Sequence, residues 1–113
     1  AIVVDMANII KFYVMIKHIV LFKLKKDIPD SERTAIMQNF KNALETLKTK
    51  IPCLLSIEVG LNANTEETYD IALTTTFETF EDLHHYASHP DHIAASSIIK
   101  DAKESRACVD YII

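Results

Sequence analysis

The fold is decided by residues 16–25, which read IKHIVLFKLK. Apolar side chains recur at every second position, and this period of two is typical of a β-strand. One face of the predicted strand is apolar except for His18, while the other combines lysines with Ile19 and Leu21. Both faces of this strand therefore need a covering layer.

A helix and two further strands are predicted next along the chain. The sequence Pro-Asp-Ser at 29–31 makes Asp30 the expected N-cap of a helix. The helix has an apolar stripe at spacings of three and four and ends before Pro52. The stripe consists of Ile36, Phe40, Leu44, Leu47 and Ile51. Strands are predicted at 53–61 and 69–78 from alternating apolar residues and, in the second, a run of threonines.

The second helix is predicted in two pieces that meet at a proline. Thr79 is the expected N-cap of the first piece, and Pro90 suits the first turn of the second. The predicted apolar side consists of Phe80, Leu83, Tyr86 or Ala87, Ile93, Ala94, Ile98 and Ala102. A last strand is predicted at 106–113, which reads RACVDYII.

The element order is therefore βαββαβ. This order predicts an α+β, ferredoxin-like fold, in which a four-stranded antiparallel sheet carries both helices on one face. Ile19 and Leu21 then belong to an apolar patch on the bare face, and covering such a patch is favourable by roughly 25 cal/mol per Å². The simplest cover is a second copy packed sheet on sheet. The sequence thus predicts a homodimer through the open sheet face.

Composition restricts the possible partners and cofactors. The 113 residues predict one domain, and a net charge of -4 without a basic stripe argues against nucleic-acid binding. No apolar run is long enough to span a membrane. Gly60 is the one glycine, which excludes glycine-rich nucleotide cradles, so no cofactor is predicted. Two cysteines, Cys53 and Cys108, are too few for a secreted disulfide scaffold, which favours a reduced, cytoplasmic protein.

The first 14 residues allow two interpretations. They are apolar but lack the basic start and the cleavage site of a signal peptide. Either Met15 is the natural start and residues 1–14 are a leader, or Ile9–Val14 adds a strand to a sheet edge. The predicted domain occupies residues 15–113.

Residues 86–94, YASHPDHIA, are the candidate functional segment. His92 can act as a general base near neutral pH with a carboxylate neighbour such as Asp91, and the Tyr86 hydroxyl can donate to a developing oxyanion. His18 is expected to face the same helix from the sheet. The alternative is structural: His18 and Tyr86 belong to the core, and His89 and Pro90 only restart the helix.

A metal site on this segment is disfavoured. His85, His89 and His92 have the spacing of one helical face, which can bind zinc. However, Pro90 interrupts the helix between them. No metal is therefore predicted.

Three stretches resemble the stress-responsive A/B barrel domain family, a group within the dimeric α+β barrel superfamily. They are MIKHIVLFKLK at 15–25, IPCLLSIEVGLN at 51–62 and YDIALTTTFETFEDLHHYASHPDHIAA at 69–95. The resemblance implies two ferredoxin-like sheets that close together into a barrel. It covers nearly all of residues 15–113.

The resemblance also implies a site. A plant branch of the family contains polyketide cyclases, which close an aromatic ring by intramolecular aldol condensation. By motif match, the residues that act at the pocket there correspond to His18, Tyr86 and His92. The cyclases also carry a pocket histidine and tyrosine where this chain has Ile71 and Phe40, so these two are expected as apolar ligand-binding positions.

Three hypotheses follow from the sequence. The first is a dimeric A/B barrel protein that binds a small apolar or aromatic molecule between sheet and helices. The second is a cofactor-free enzyme, such as a cyclase, isomerase or monooxygenase, with His18, His92 and Tyr86 as catalytic residues. The third is a purely structural or interaction dimer.

Overall fold

The computed structural model describes residues 15–113. The elements follow in the order β1 (Ile16–Leu24), α1 (Asp30–Lys50), β2 (Ser56–Leu61), β3 (Ile71–Phe77), α2 (Phe80–Ser88), α3 (Pro90–Ser96), a 3₁₀ turn (Ser97–Ile99) and β4 (Lys103–Ile112). The two predictions for residues 1–14, a leader or an added strand, lie outside the described residues.

The four strands form one antiparallel sheet in the order β2-β3-β1-β4. The central strand β1 pairs with β3 on one side and with β4 on the other, so β2 and β4 are the edges. The predicted ferredoxin-like α+β fold is confirmed. Cys53 precedes one edge strand and Cys108 lies in the other, and both thiols are free.

The core lies between the sheet and the helices. The five side chains that β1 turns toward the helices are all buried, and α1 packs Phe40, Leu44 and Leu47 against this layer. Ile51, which follows α1, is fully buried. The alternation in β1 and the stripe in α1 thus meet in one apolar cluster.

Two predicted helix caps have different outcomes. Asp30 is the first residue of α1 and forms no capping hydrogen bond; Pro29 precedes the helix, so the predicted cap was wrong. The acidic Asp30 still favours the positive end of the helix dipole. The cap at Thr79 is confirmed, because its Oγ1 accepts a hydrogen bond from the Asp82 amide at 3.0 Å.

Some predicted apolar positions face solvent. Ile93 is 57% exposed and Ile98 is 38% exposed, whereas Ala95 and Ile99 are buried. His89 adopts an extended conformation between α2 and α3, which resets the helical phase after the proline. The strand predicted at 53–61 begins only at Ser56; in the preceding segment Leu54 is buried and Leu55 is exposed.

The sheet face opposite the helices carries a row of apolar side chains. Ile19 and Leu21 are half-buried, while Val109 is 54% and Tyr111 is 39% exposed. A hollow of about 200 Å³ lies between Ile19, Leu21, Ala107, Cys108 and Val109. Within residues 15–113, the helices are all too short or too polar to cross a membrane.

Candidate functional site

His18 interrupts the apolar row of β1 on the helix-covered face. It lies opposite Thr75 on β3 and opposite Asp110 on β4, and it is 8% exposed. Its Nδ1 forms a hydrogen bond with Asp110 Oδ1. The antiparallel register therefore converts two residues far apart in sequence into a buried histidine with a carboxylate partner.

The partner of His18 determines which ring nitrogen can react. A carboxylate that accepts from Nδ1–H holds the ring in the tautomer whose Nε2 carries a lone pair. His18 thus has the arrangement of a general base whose orientation is fixed by Asp110. Asp91, which the sequence suggested as the carboxylate neighbour of His92, instead has its Oδ2 atom 3.8 Å from His89 Nδ1.

Cys108 lies beside this pair on the same face of β4. Its Sγ is 3.5 Å from His18 Nδ1 and 3.6 Å from Asp110 Oδ1. Burial and the charge of Asp110 raise the pKa of the Cys108 thiol, and Arg106 only partly opposes them. The thiol is therefore protonated at neutral pH and is not an activated nucleophile.

Tyr86 covers the same end of the sheet from α2. Its ring centroid is 5.1 Å from that of Phe77. Phe77 pairs with Ile16, which is the neighbour of His18 on the helix-covered face of β1. The side chain is fully buried, and its hydroxyl has no hydrogen-bond partner among the described residues. Burial raises the pKa of Tyr86 well above its ordinary value, so the hydroxyl remains a neutral donor.

His92 packs on Tyr86 from the start of α3, with ring centroids 4.5 Å apart. Its Nδ1 donates a hydrogen bond to the Ala87 carbonyl at 3.0 Å, which leaves Nε2 free to accept. Burial is the main cause that lowers the pKa of His92, and the hydrogen bond to Ala87 opposes it; positive charge on His18, Arg106 or His89 lowers it further. His92 is therefore neutral near pH 7.

The break between α2 and α3 places these side chains. His89 Nδ1 accepts a hydrogen bond from the Asp91 amide at 3.1 Å, and Pro90 occupies the first turn of α3. His89 and Pro90 thus have the structural role that the sequence predicted. The break that they form between α2 and α3 orients His92 toward Tyr86. The rings of His85 and His89 lie 5.9 Å apart on the outer side.

Phe40 and Ile71 lie at the other end of the helix-covered face. Both are buried, and the Phe40 ring meets Phe22 edge-on at 5.2 Å. Ile71 pairs with Phe22, whereas Thr75 pairs with His18. The four positions between Ile71 and Thr75 correspond to about 14 Å along the strand. Ile71 also lines a groove of about 450 Å³ beside the β2–β3 connection. The structure thus packs Tyr86 on His92, with His18 near enough to affect the pKa of His92, and it places Phe40 and Ile71 apart from them.

The helix layer leaves one side of this group open. The side chains of Arg106, Cys108 and Asp110 belong to the helix-facing side of the edge strand β4, yet they remain exposed. They form a shelf next to His18. Asp110 and the shelf were not among the site residues predicted from the sequence, although the alternation within β4 places Arg106, Cys108 and Asp110 on one face.

Comparison with known proteins agrees with this fold. The model of the stress responsive A/B barrel domain matches residues 16–113. A dimeric protein of unknown function and ferredoxin-like fold from Bacteroides fragilis is 52% identical and superposes with a TM-score of 0.87, over 88% of this chain and 96% of that chain.

Two plant proteins are also similar in sequence. The stress-response A/B barrel domain-containing protein DABB1 of Arabidopsis thaliana is 31% identical over 98 residues, which cover 87% of this chain and 47% of that protein. The chain thus spans about half the length of this relative. Olivetolic acid cyclase of Cannabis sativa is 24% identical over 99 residues, 85% of this chain and 94% of the cyclase. Since the family model spans all the described strands and helices, the chain belongs to the stress responsive A/B barrel domain family.

Proposed function

We propose that the protein is a homodimer that binds a small, mostly apolar or aromatic molecule beside His18, Tyr86 and His92. The Tyr86 hydroxyl is the observation that carries the proposal. It is buried without a hydrogen-bond partner among residues 15–113. A buried polar group in this state costs about 1–3 kcal/mol. A ligand oxygen that accepts the hydrogen bond removes this cost, so the site favours an oxygen-bearing ligand.

The polar groups around Tyr86 narrow the ligand class. The tyrosine hydroxyl is a donor, whereas the Nε2 atoms of His18 and His92 are acceptors in the tautomers that their Nδ1 hydrogen bonds favour. A phenol presents both a donor hydrogen and an acceptor oxygen, and an enolisable ketone presents an acceptor oxygen next to an acidic α-hydrogen. A few such polar groups beside buried apolar side chains are typical of small-molecule sites.

A ligand would enter from the exposed shelf on β4, and the His92 side chain would have to move for the ligand to reach the Tyr86 hydroxyl. Tyr86 is fully buried, but its neighbour His92 is only half-buried, and the Asp110 side chain is 32% exposed. We therefore place the polar end of the ligand near Tyr86 and the remainder along the shelf. Phe40 and Ile71 would meet only a ligand long enough to extend under α1.

The homodimer is supported by the open sheet face. Val109 and Tyr111 extend the apolar row of Ile19 and Leu21, and a row of this kind is costly to leave in water. The solved protein from Bacteroides fragilis, with 52% identity, is described as dimeric. Packing two such faces together would complete the barrel.

A second candidate function is enzymatic, and the His18–Asp110 pair favours it. An oriented general base beside a neutral tyrosine donor can remove a proton α to a carbonyl and stabilise the enolate. Proton removal of this kind begins an aldol cyclisation or an isomerisation. The similarity to olivetolic acid cyclase, at 24% identity, is consistent with such chemistry.

Binding is tested with a panel of alkylphenols and aryl alkyl ketones, followed by two-dimensional NMR of the labelled protein. We expect chemical-shift changes at residues 86–92 and 106–110. Tyr86→Phe should weaken binding about tenfold, the equivalent of roughly 1.4 kcal/mol. Tyr69→Phe, which alters a tyrosine at the distant groove, is the matched control and should bind normally. Equal affinity of both variants would contradict the proposed site.

The enzymatic candidate needs a separate assay. Bound aryl methyl ketones are incubated in D₂O, and loss of the α-proton signal is followed by NMR. A general base contributes about 10²–10⁴-fold, so His18→Gln should lose at least about 100-fold in exchange rate. Exchange no faster than in buffer, with binding intact, would support binding alone.

A further inference from the structure

We propose that His18, Cys108 and Asp110 bind a divalent cation of the Zn²⁺ class. Their ligand atoms, one nitrogen, one sulfur and one carboxylate oxygen, all lie within 4.8 Å of one another. The cluster differs from the helical histidine face, since its members come from two paired strands. The sheet itself holds them together, and the proposal does not depend on the ligand site described above.

The register of β1 and β4 produces this cluster. Cys108 and Asp110 are two positions apart on an extended strand and therefore project to the same side. His18 lies directly opposite Asp110, and Cys108 lies opposite Val20, the next residue of the same row. Strand positions of this kind are rigid, which favours a site with defined geometry.

Two of the three distances between the ligand atoms suit a tetrahedral ion. Metal distances of about 2.0–2.3 Å to nitrogen, oxygen and sulfur place tetrahedral ligands roughly 3.5 Å from each other. Cys108 Sγ is 3.5 Å from His18 Nδ1 and 3.6 Å from Asp110 Oδ1. His18 Nδ1 and Asp110 Oδ1 are hydrogen-bonded and lie too close together to be ligands of one ion, so the partly exposed Asp110 side chain must rotate away to make room for it.

The ligand types select the metal. A thiolate with an imidazole and a carboxylate suits Zn²⁺ or Co²⁺, whereas Mg²⁺ and Ca²⁺ prefer oxygen alone. The thiolate and the carboxylate together supply two negative charges, which match a divalent ion. Arg106 opposes the ion electrostatically, but its side chain is exposed and can turn to solvent.

Metal binding changes the protons of the cluster in a defined way. The thiol of Cys108 loses one proton to solvent, and the proton on His18 Nδ1 moves to Nε2 through solvent, so one proton is released per ion. His18 Nε2 then becomes a donor. The metal-bound form and the form with a basic Nε2 are therefore mutually exclusive. Three protein ligands leave a fourth position for water.

The test uses Co²⁺ alone, added to the tag-free full chain under a non-chelating reductant. We expect one Co²⁺ per chain, a thiolate-to-cobalt charge-transfer band in the near ultraviolet, and displacement of both by Zn²⁺. Cys108→Ser should abolish the band and weaken Co²⁺ binding at least about 100-fold, and Asp110→Asn should weaken it about tenfold. Both positions are exposed on an edge strand, so these variants should fold.

Two control variants make the test decisive. Cys53→Ser removes the other cysteine, and His84→Ala with His85→Ala removes two exposed histidines of α2. Both controls should keep the wild-type band and stoichiometry. A wild-type protein without the band, or a band that is lost in Cys53→Ser and kept in Cys108→Ser, would overturn the proposal.

Discussion

Asp110 on β4 accepts a hydrogen bond from Nδ1 of His18, its direct partner on β1. Because His18 is buried, this bond replaces the water that its ring would otherwise contact. Asp110→Asn keeps the shape but replaces the charged acceptor with a neutral one. Bonds to charged groups contribute roughly 1.5–3 kcal/mol. We expect a loss of about 1 kcal/mol in the free energy of unfolding, because the Asp110 side chain is partly solvent-screened.

Urea denaturation measures this change in the free energy of unfolding, and Glu104→Gln is the control. Glu104 lies on the same strand and forms an exposed ion pair with Lys23 at 3.1 Å. Surface pairs of this kind contribute little, so the loss should stay below about 0.5 kcal/mol. Equal losses in the two variants would mean that the His18–Asp110 bond has no special weight in the fold.

How much of this site the sequence could predict depends on register. The alternation around His18 and the helix break at Pro90 are local patterns. They correctly predicted the buried row of β1 and the restart of the helix. The pairing of His18 with Asp110 joins positions far apart in sequence, and alternation alone does not state which residues face each other across two strands. Asp110 was therefore missed. Ile93 and Ile98 were misplaced for a similar reason, since the extended His89 resets the phase of α3.

Removing the Tyr86 hydroxyl should leave the free protein as stable or more stable. The hydroxyl is buried without a partner within residues 15–113, so Tyr86→Phe removes an uncompensated polar atom and keeps the ring contacts with Phe77 and His92. We expect a gain of between zero and about 1 kcal/mol in chemical denaturation. Loss of ligand binding together with unchanged or higher stability would separate function from folding.

A contrary result for Tyr86 has a clear meaning. If Tyr86→Phe lowers the free energy of unfolding by more than about 1 kcal/mol, the hydroxyl has a stabilising partner in the free protein. Tyr69→Phe serves as the comparison, because Tyr69 is half-buried at the distant groove. Removing the hydroxyl of this half-buried tyrosine should change the free energy of unfolding little.

Acid should destabilise the fold through His92. Burial is the main cause that holds the pKa of His92 below its ordinary value near 6.5, and the hydrogen bond to Ala87 opposes it only in part. The unfolded chain therefore binds more protons than the folded one once the pH falls below this value. The contribution of neutral His92 is complete above the unfolded pKa and is lost as the pH falls through the folded pKa.

The measurement compares unfolding free energies at pH 7.5 and pH 5.5. His92→Gln removes the titrating group and should show a smaller loss between the two pH values than the wild type. His84→Gln alters an exposed histidine of α2 and should show the wild-type loss. A wild-type pH dependence that persists unchanged in His92→Gln would assign the effect to other groups.

The proposed dimer depends on the open sheet face, and two matched substitutions test it. Val109 on that face is 54% exposed in the single chain, and Ile93 in the helix layer is 57% exposed. Val109→Glu introduces a charge that a second sheet would bury, which is costly without a partner. Sedimentation should then show a monomer at concentrations where the wild type is dimeric, while Ile93→Glu stays dimeric. A wild type that sediments as a monomer would contradict the dimer. A dimer that is broken only by Ile93→Glu would place the interface in the helix layer and not on the sheet.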